Sequence, residues 1–292
     1  MLHISLKRSD YWLQKASLGL FCCLLMGGCS ITEQPSMTTA LTFNIRYDNP
    51  GDGQDAWPNR SEWVASILDS SGASIVGLQE VLKHQLDDIV ARASRFSWVG
   101  VGRADGIEGG EFSPVLYDSQ VWKMIYSQTR WLSPDSSAIG IAGWDAALPR
   151  IATVVDFRNI YTDRPLRVIN THFDHRGEEA RFQSARLISR WAAEVEGPVI
   201  VMGDLNFEDD TPSYQALLEP DSLSLLIDAA SQFEGEKTPT FRGFDAQNTN
   251  GPRIDYVFVN DLIVLKSYEV LSPVRRGRFP SDHLPVKVWM SF

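Results

Sequence analysis

Six short stretches carry the side chains able to do chemistry. "NIRYD" supplies Asn44, "GLQE" ends in Glu80, and "NTHFDH" holds Asn170, His172, Asp174 and His175. "GDLN" places Asp204 and Asn206 two residues apart, "RIDYVF" contains Asp255, and "PSDHLP" contains Asp282 and His283. In extended chain, residues two apart face the same way, so Asp204 and Asn206 share a side. One polar residue beside an apolar run is ordinarily a turn, a cap or a satisfied core group. Glu80 suits the start of a following helix equally well. Asp255 suits a strand-start turn, Asp282 a bend before Pro285, and His172 a core position. Taken together, these stretches point to one convergent site, because buried charge is costly unless paired or metal-bound and ligands gather at strand ends.

The set contains carboxylates, amides and imidazoles, and no thiol. Such hard oxygen donors suit Mg²⁺, Mn²⁺ or Ca²⁺. Imidazole stabilises a phosphate oxyanion or moves a proton. Together these are the parts needed for metal-assisted attack of water on a phosphate ester.

Elements must bring those residues together. β-branched and aromatic runs predict strands at 40–46, 74–80, 151–157, 166–173, 199–206, 254–260 and 284–292, with weaker candidates at 114–117, 121–132 and 263–271. Apolar stripes predict helices from Pro58 to near Gly72, at 81–93, at 178–195 and, more briefly, at 212–218. The chain has 292 residues, 43% of them hydrophobic, which is ample for one large core. No linker divides it after residue 40.

Lys7, Arg8 and Lys15 precede an apolar stretch from Ala16 to Met26, followed by Gly27, Gly28 and Cys29. This is the pattern of a secretory signal and is too short for a comfortable span. Small residues directly before Cys29 resemble a bacterial lipobox, implying lipidation at Cys29 and a signal peptide at 1–28. The alternatives are a plain signal cut nearby and an uncleaved anchor. Ser30, in place of an aspartate, implies an exported chain on the outer membrane, periplasmic or surface-facing. Residues 29–39 would be a polar tether and 40–292 the functional domain. Cys22 and Cys23 lie within the signal, so no disulfide forms inside the domain. Losing residues 1–28 removes three basic residues and one acid, leaving 24 basic against 36 acidic residues, a formal charge of −12. That disfavours a general nucleic-acid surface, which needs a basic stripe.

The six stretches, in this order, resemble the endonuclease/exonuclease/phosphatase superfamily from about residue 40 to the C-terminus. The resemblance implies an α/β (α+β) four-layer sandwich of two stacked mixed β-sheets flanked by helices. It implies Glu80 as principal metal ligand, with Asn44 beside it and Asp282 completing the site, for Mg²⁺ or Mn²⁺. Asp204 would orient or deprotonate the attacking water, and Asn206 would hold the water or a phosphate oxygen. His172 would donate to the phosphate, and His283, held by Asp255, would contact it. Arg46 stands where the abasic-site branch has an acid, which argues against that specialism.

The polar loops at 47–60, 102–114, 133–150 and 275–283 would set specificity. Arg46, Arg150 and His175 are candidate substrate contacts, Arg176 and Arg278 further anion contacts, and Trp57 and Trp144 stacking residues. The leading reading is a phosphoesterase acting on a phosphodiester or a phosphorylated small molecule. A nuclease acting on short or single-stranded pieces is the alternative within enzymes. A non-catalytic surface binding lipoprotein would be marked by loss of Glu80, Asp204, Asn206, Asp255 or His283, and all five are present. Labelling with a palmitate analogue should mark the chain, and the label should vanish in Cys29→Ala.

Overall fold

A computed structural model describes residues 37–218, 226–235 and 237–292. The expected signal and lipidation site lie outside these residues. The described elements are β1 (Met37–Asn44), α1 (Trp57–Ser70), β2 (Ile75–Gln79), α2 (Lys83–Arg92), β3 (Phe96–Val99), β4 (Val115–Asp118), β5 (Trp122–Trp131) and β6 (Ile151–Asn159). They continue with β7 (Pro165–His172), α3 (Glu178–Ala192), β8 (Val199–Asp204), α4 (Pro212–Leu218), β9 (Leu226–Asp228), β10 (Asp255–Asn260), β11 (Val264–Val270) and β12 (Val286–Ser291). Met37–Thr39, expected in the tether, instead pair with Ser291, Met290 and Trp289 of β12. The domain therefore begins earlier than the polar sequence suggests. No described helix is long and apolar enough to cross a membrane.

The strands form two six-stranded sheets, ordered β11-β12-β1-β2-β4-β3 and β5-β6-β7-β8-β10-β9. Each is mixed: β1–β2 and β7–β8 are parallel pairs, and the remaining neighbours are antiparallel. Period-two alternation explains the layering. In β1, Ala40 faces a core shared with Ile200, Met202, Val257, Val286 and Val288, between the sheets. Leu41 and Phe43 face the other way and pack with Val64, Leu68, Leu86 and Ile89 of α1 and α2. On the second sheet Ile169, Val199 and Val201 pack with Ile188, Trp191 and Leu217 of α3 and α4. Burying each such side chain contributes roughly 1.5–3 kcal/mol, so three apolar layers hold the four structural layers in order.

Asn170 is buried between the sheets, not in the site. It donates from Nδ2 to the carbonyls of Leu78 and Pro114, each at 2.8 Å, and accepts from Gln79 Nε2 at 2.6 Å. It staples one sheet to the other. Trp57, expected as a loop platform, opens α1, is buried, and donates its indole N–H to Asp88 at 2.9 Å.

Gly203, in β8, has φ 151, and a Cβ there would meet the Thr171 carbonyl oxygen of β7 at 2.0 Å. The Thr171 carbonyl is backbone, so it cannot yield cheaply. Gly203→Ala should destabilise the fold by about 2 kcal/mol or more, read as a lowered urea midpoint at unchanged slope.

Candidate active site

The strand register builds the site. His172 at the end of β7 lies opposite Asp204 at the end of β8. Asp204 in turn lies opposite Asp255 at the start of β10. Three adjacent strands thus present His172, Asp204 and Asp255 in one row. The other sheet contributes Asn44 at the end of β1 and Glu80 just past β2. His283 and Asp282 precede β12.

Just past three of the strands the backbone turns left-handed at residues other than glycine: Arg46 and Glu80 at φ 59, and Asn206 at φ 50. Such conformations are uncommon outside glycine and collect at functional sites. Glu80 does not cap α2, whose N-cap is Leu82. Its carboxylate turns inward, accepting from the Tyr47 backbone N–H at 3.1 Å and from Asn44 Nδ2 at 3.1 Å.

Asn44 Nδ2 also donates to Asp204 Oδ2 at 2.9 Å, so one amide ties the carboxylates of the two sheets. Its oxygen accepts from the Arg46 backbone N–H at 2.9 Å. Asp204 Oδ2 lies 3.3 Å from His172 Nε2 and 3.7 Å from His283 Nε2. His283 Nδ1 donates to Asp255 Oδ2 at 2.8 Å. Asn206 Nδ2 lies 3.1 Å from His172 Nε2, and its backbone N–H donates to Asp204 Oδ1 at 3.0 Å. These side chains meet at a cleft of about 470 Å³ that is also lined by Arg46, Glu111, Arg150, His175, Phe241 and Asp282.

Burial pushes the Asp204 carboxyl well above the ordinary carboxylate range; the nearby His283 charge opposes this and that of Asp255 adds to it. Burial also raises Asp282, with Glu80 adding to the effect. Burial pushes His283 down, but the charges of Asp255 and Asp204 outweigh it and hold the ring well above its usual range. His172 is held well below by burial and then by Arg150 and Arg103, so it stays neutral. An elevated carboxylate beside a cationic and a neutral imidazole divides the roles of base, donor and acceptor among fixed groups.

Arg46 and Arg150 border the cleft as expected. Arg46 pairs with Asp52 at 3.0 Å and reaches Asp282 and Glu80 only at 3.8 and 4.0 Å. Arg150 lies 3.3 Å from Asp174 and donates to His175 Nδ1 at 3.0 Å, which explains the placement of His175. Burial pushes Asp174 up, but N–H donors from Gly177 and Arg176 and the charge of Arg150 outweigh it and hold the carboxyl at about 2. Arg176 itself is exposed and is not part of the cleft wall. Arg278 pairs with Asp55 away from the cleft. Trp144 is half-buried in its loop and likewise stands outside the cleft wall. Glu111 went unrecognised in the sequence. Its carboxylate takes both Arg103 nitrogens at 2.7 and 2.9 Å and lies 4.0 Å from His172 Nδ1. The one signal available was an acid ending a glycine-rich loop, just ahead of Phe112.

Among the described residues, the basic groups within 4.0 Å of Glu80, Asp204 and Asp282 are Arg46 and the rings of His172 and His283, and His172 is neutral. A hard divalent cation fits that excess of carboxylate oxygen. Among the described residues, Glu80, His172 and Asp204 form one group with ligand atoms within 4.8 Å of one another.

The sequence model of the Endonuclease/Exonuclease/phosphatase family matches residues 41–283. A family member from Bacteroides thetaiotaomicron of solved structure is 32% identical, covering 89% of this chain and 99% of its own, with a TM-score of 0.84. The mannosyl-6-phosphatase of the same organism is also 32% identical, covering 87% of this chain and 100% of its own, at 0.81. D. rerio TDP2, complexed with single strand DNA product, shares the fold at 16% identity and 0.69, covering 88% of this chain and 100% of its own. No curated protein matches the chain.

In metal-free protein, His283 should keep its ring proton above neutral pH. Its contribution to stability is complete below the unfolded value of about 6.5 and is lost as pH rises through the folded value. Imidazole NMR titration should show this, and Asp255→Asn should bring the transition down. His172 should stay neutral between about pH 6 and 8.

Proposed function

The chain belongs to the endonuclease/exonuclease/phosphatase family, and from that premise we propose that it hydrolyses a phosphomonoester of a small polar molecule, such as a phosphorylated sugar, with Mg²⁺ or Mn²⁺. The observation that carries this reading is the convergence on Asp204. Asn44, His172 and His283 all lie within 3.7 Å of one carboxylate oxygen, with Glu80 on the other side of Asn44.

Glu80 and Asp282, with Asn44, would hold the cation. When bound, it polarises a phosphate oxygen and offsets charge developing there. The chain's own residues do the rest. Asp204, with its raised affinity for protons, accepts one from the attacking water. Asn206 orients that water or a phosphate oxygen. His283, kept cationic by Asp255, stabilises the phosphate, and His172, held neutral, contributes a hydrogen bond. Arg150, fixed by Asp174 and His175, adds positive charge at the cleft wall.

The size of the cleft favours a small ester. The 32% identity to a mannosyl-6-phosphatase supports a sugar phosphate among such esters. A nuclease reading draws less support, because the net charge is −10 and Arg46 and Arg150 at the cleft are each tied to a carboxylate, as is Arg103 behind Glu111. The N-terminal pattern supports export and attachment to the bacterial outer membrane through Cys29, so the substrate would be met outside the cytoplasm.

Initial rates should be compared on mannose 6-phosphate, p-nitrophenyl phosphate, bis-p-nitrophenyl phosphate and a short oligonucleotide, with Mg²⁺ or Mn²⁺ and with chelator. Monoesters should be hydrolysed fastest, only with metal, and Asp204→Asn and His283→Ala should each lose on the order of 10²–10⁴-fold. No metal-dependent hydrolysis of any ester would overturn the enzyme reading. Faster cleavage of the diester or the oligonucleotide would overturn the substrate class.

A further inference from the structure

The motif "RRGRFP" at 275–280 stands three residues from His283 in sequence, yet its arginines turn away from the catalytic cleft. With Arg60, Trp63 and Phe279 they line a second hollow of about 830 Å³. Arg275 and Arg278 exchange backbone hydrogen bonds at 3.1 and 3.0 Å. The two residues between them are left-handed, Arg276 at φ 51 and Gly277 at φ 74. Asn, Asp or Gly usually fills both places in such a turn. An arginine held there projects from the tip of a rigid hairpin.

Part of this charge is uncompensated. Arg278 pairs with Asp55. Arg60 gives its donors to backbone carbonyls. Arg275 lies over the Trp63 ring at 4.9 Å and donates to Ser66 Oγ at 3.2 Å. Among the described residues no carboxylate is paired with Arg275 or Arg276, although the chain carries ten more acidic than basic residues. The hollow also shares a wall with the cleft. Arg60 donates to the carbonyls of Arg46 and Tyr47, which line the cleft, and to that of Pro280, which leads to His283.

We propose that this hollow is a second anion subsite, in which Arg275 and Arg276 hold a carboxylate, sulfate or phosphate group of a short acidic oligosaccharide, of which only the terminal phosphorylated sugar, the small ester of the reading above, occupies the cleft. The proposal rests on the phosphoesterase reading above. Guanidinium forks suit planar and tetrahedral oxyanions, and exposed Gln54 and Asn59 at the rim suit sugar hydroxyls. A nucleic-acid strand fits less well. Trp63 and Phe279 are buried beneath guanidinium groups and offer no free ring face for a base.

A heparin hexasaccharide serves as the acidic-glycan probe in calorimetric titrations of the full chain. It should bind the wild type, less tightly as salt rises, and lose about tenfold or more in Arg275→Glu/Arg276→Glu. The milder Arg275→Gln/Arg276→Gln should weaken binding in the same direction. Both variants should keep kcat/KM for p-nitrophenyl phosphate within about twofold of wild type and an unchanged melting point. The subsite is overturned if the hexasaccharide fails to bind the wild type or binds all three proteins equally. It is also overturned if a single-stranded oligonucleotide of equal charge binds through these arginines in its place. Binding is read without turnover, so absent hydrolysis in the wild type counts against the phosphoesterase reading instead.

Discussion

A carboxylate with almost no access to solvent, Asp204, is the constraint on which the rest of the structure depends. Leaving it unpartnered would cost several kcal/mol. The fold answers with a row across three strands, His172, Asp204 and Asp255, and with Asn44 reaching over from the other sheet. A slip of one residue in any of these strands would turn its polar side chain from the cleft to the opposite face. Stacking is therefore as much a part of the site as the side chains are. Asn170 links the sheets, and the apolar layer around Ile200, Met202 and Val286 keeps Asn44 within reach of Asp204.

Electrostatics follows from that enclosure. One imidazole is held cationic by a buried partner acid, and another is held neutral by burial and then by two arginines. Both rings lie beside the same carboxylate, and the acid behind His283 has no counterpart of equal closeness behind His172. The acids nearest Glu80 remain in excess, which makes a divalent cation the natural completion of the cleft.

The strands and helices that carry the site were legible because their apolar periodicity is strong: 199–206 and 254–260 mark β8 and β10 to within two residues. The polar residues at those strand ends were legible as one site only because acids, amides and histidines recurred together. The strands β3 and β9, of four and three residues, are too short to show a period. Glu111 escaped because it lies in a glycine-rich loop with no strand end to flag it. Trp57 and Arg278 were misplaced for a related reason. Composition marks their loops as polar, but only tertiary structure shows an indole buried on Asp88 and a guanidinium held by Asp55. The start of β1 was hidden because Met37–Thr39 read as polar chain, although pairing with β12 makes them a strand edge.

Divalent-cation binding in the absence of substrate shows whether the enclosed acids form a metal site. Calorimetric titration of chelator-treated protein with Mn²⁺ should reveal a site that is lost or severely weakened in Glu80→Gln. Failure to bind Mn²⁺, or equal binding by wild type and Glu80→Gln, would mean that the enclosed carboxylates of the cleft are not organised around a cation.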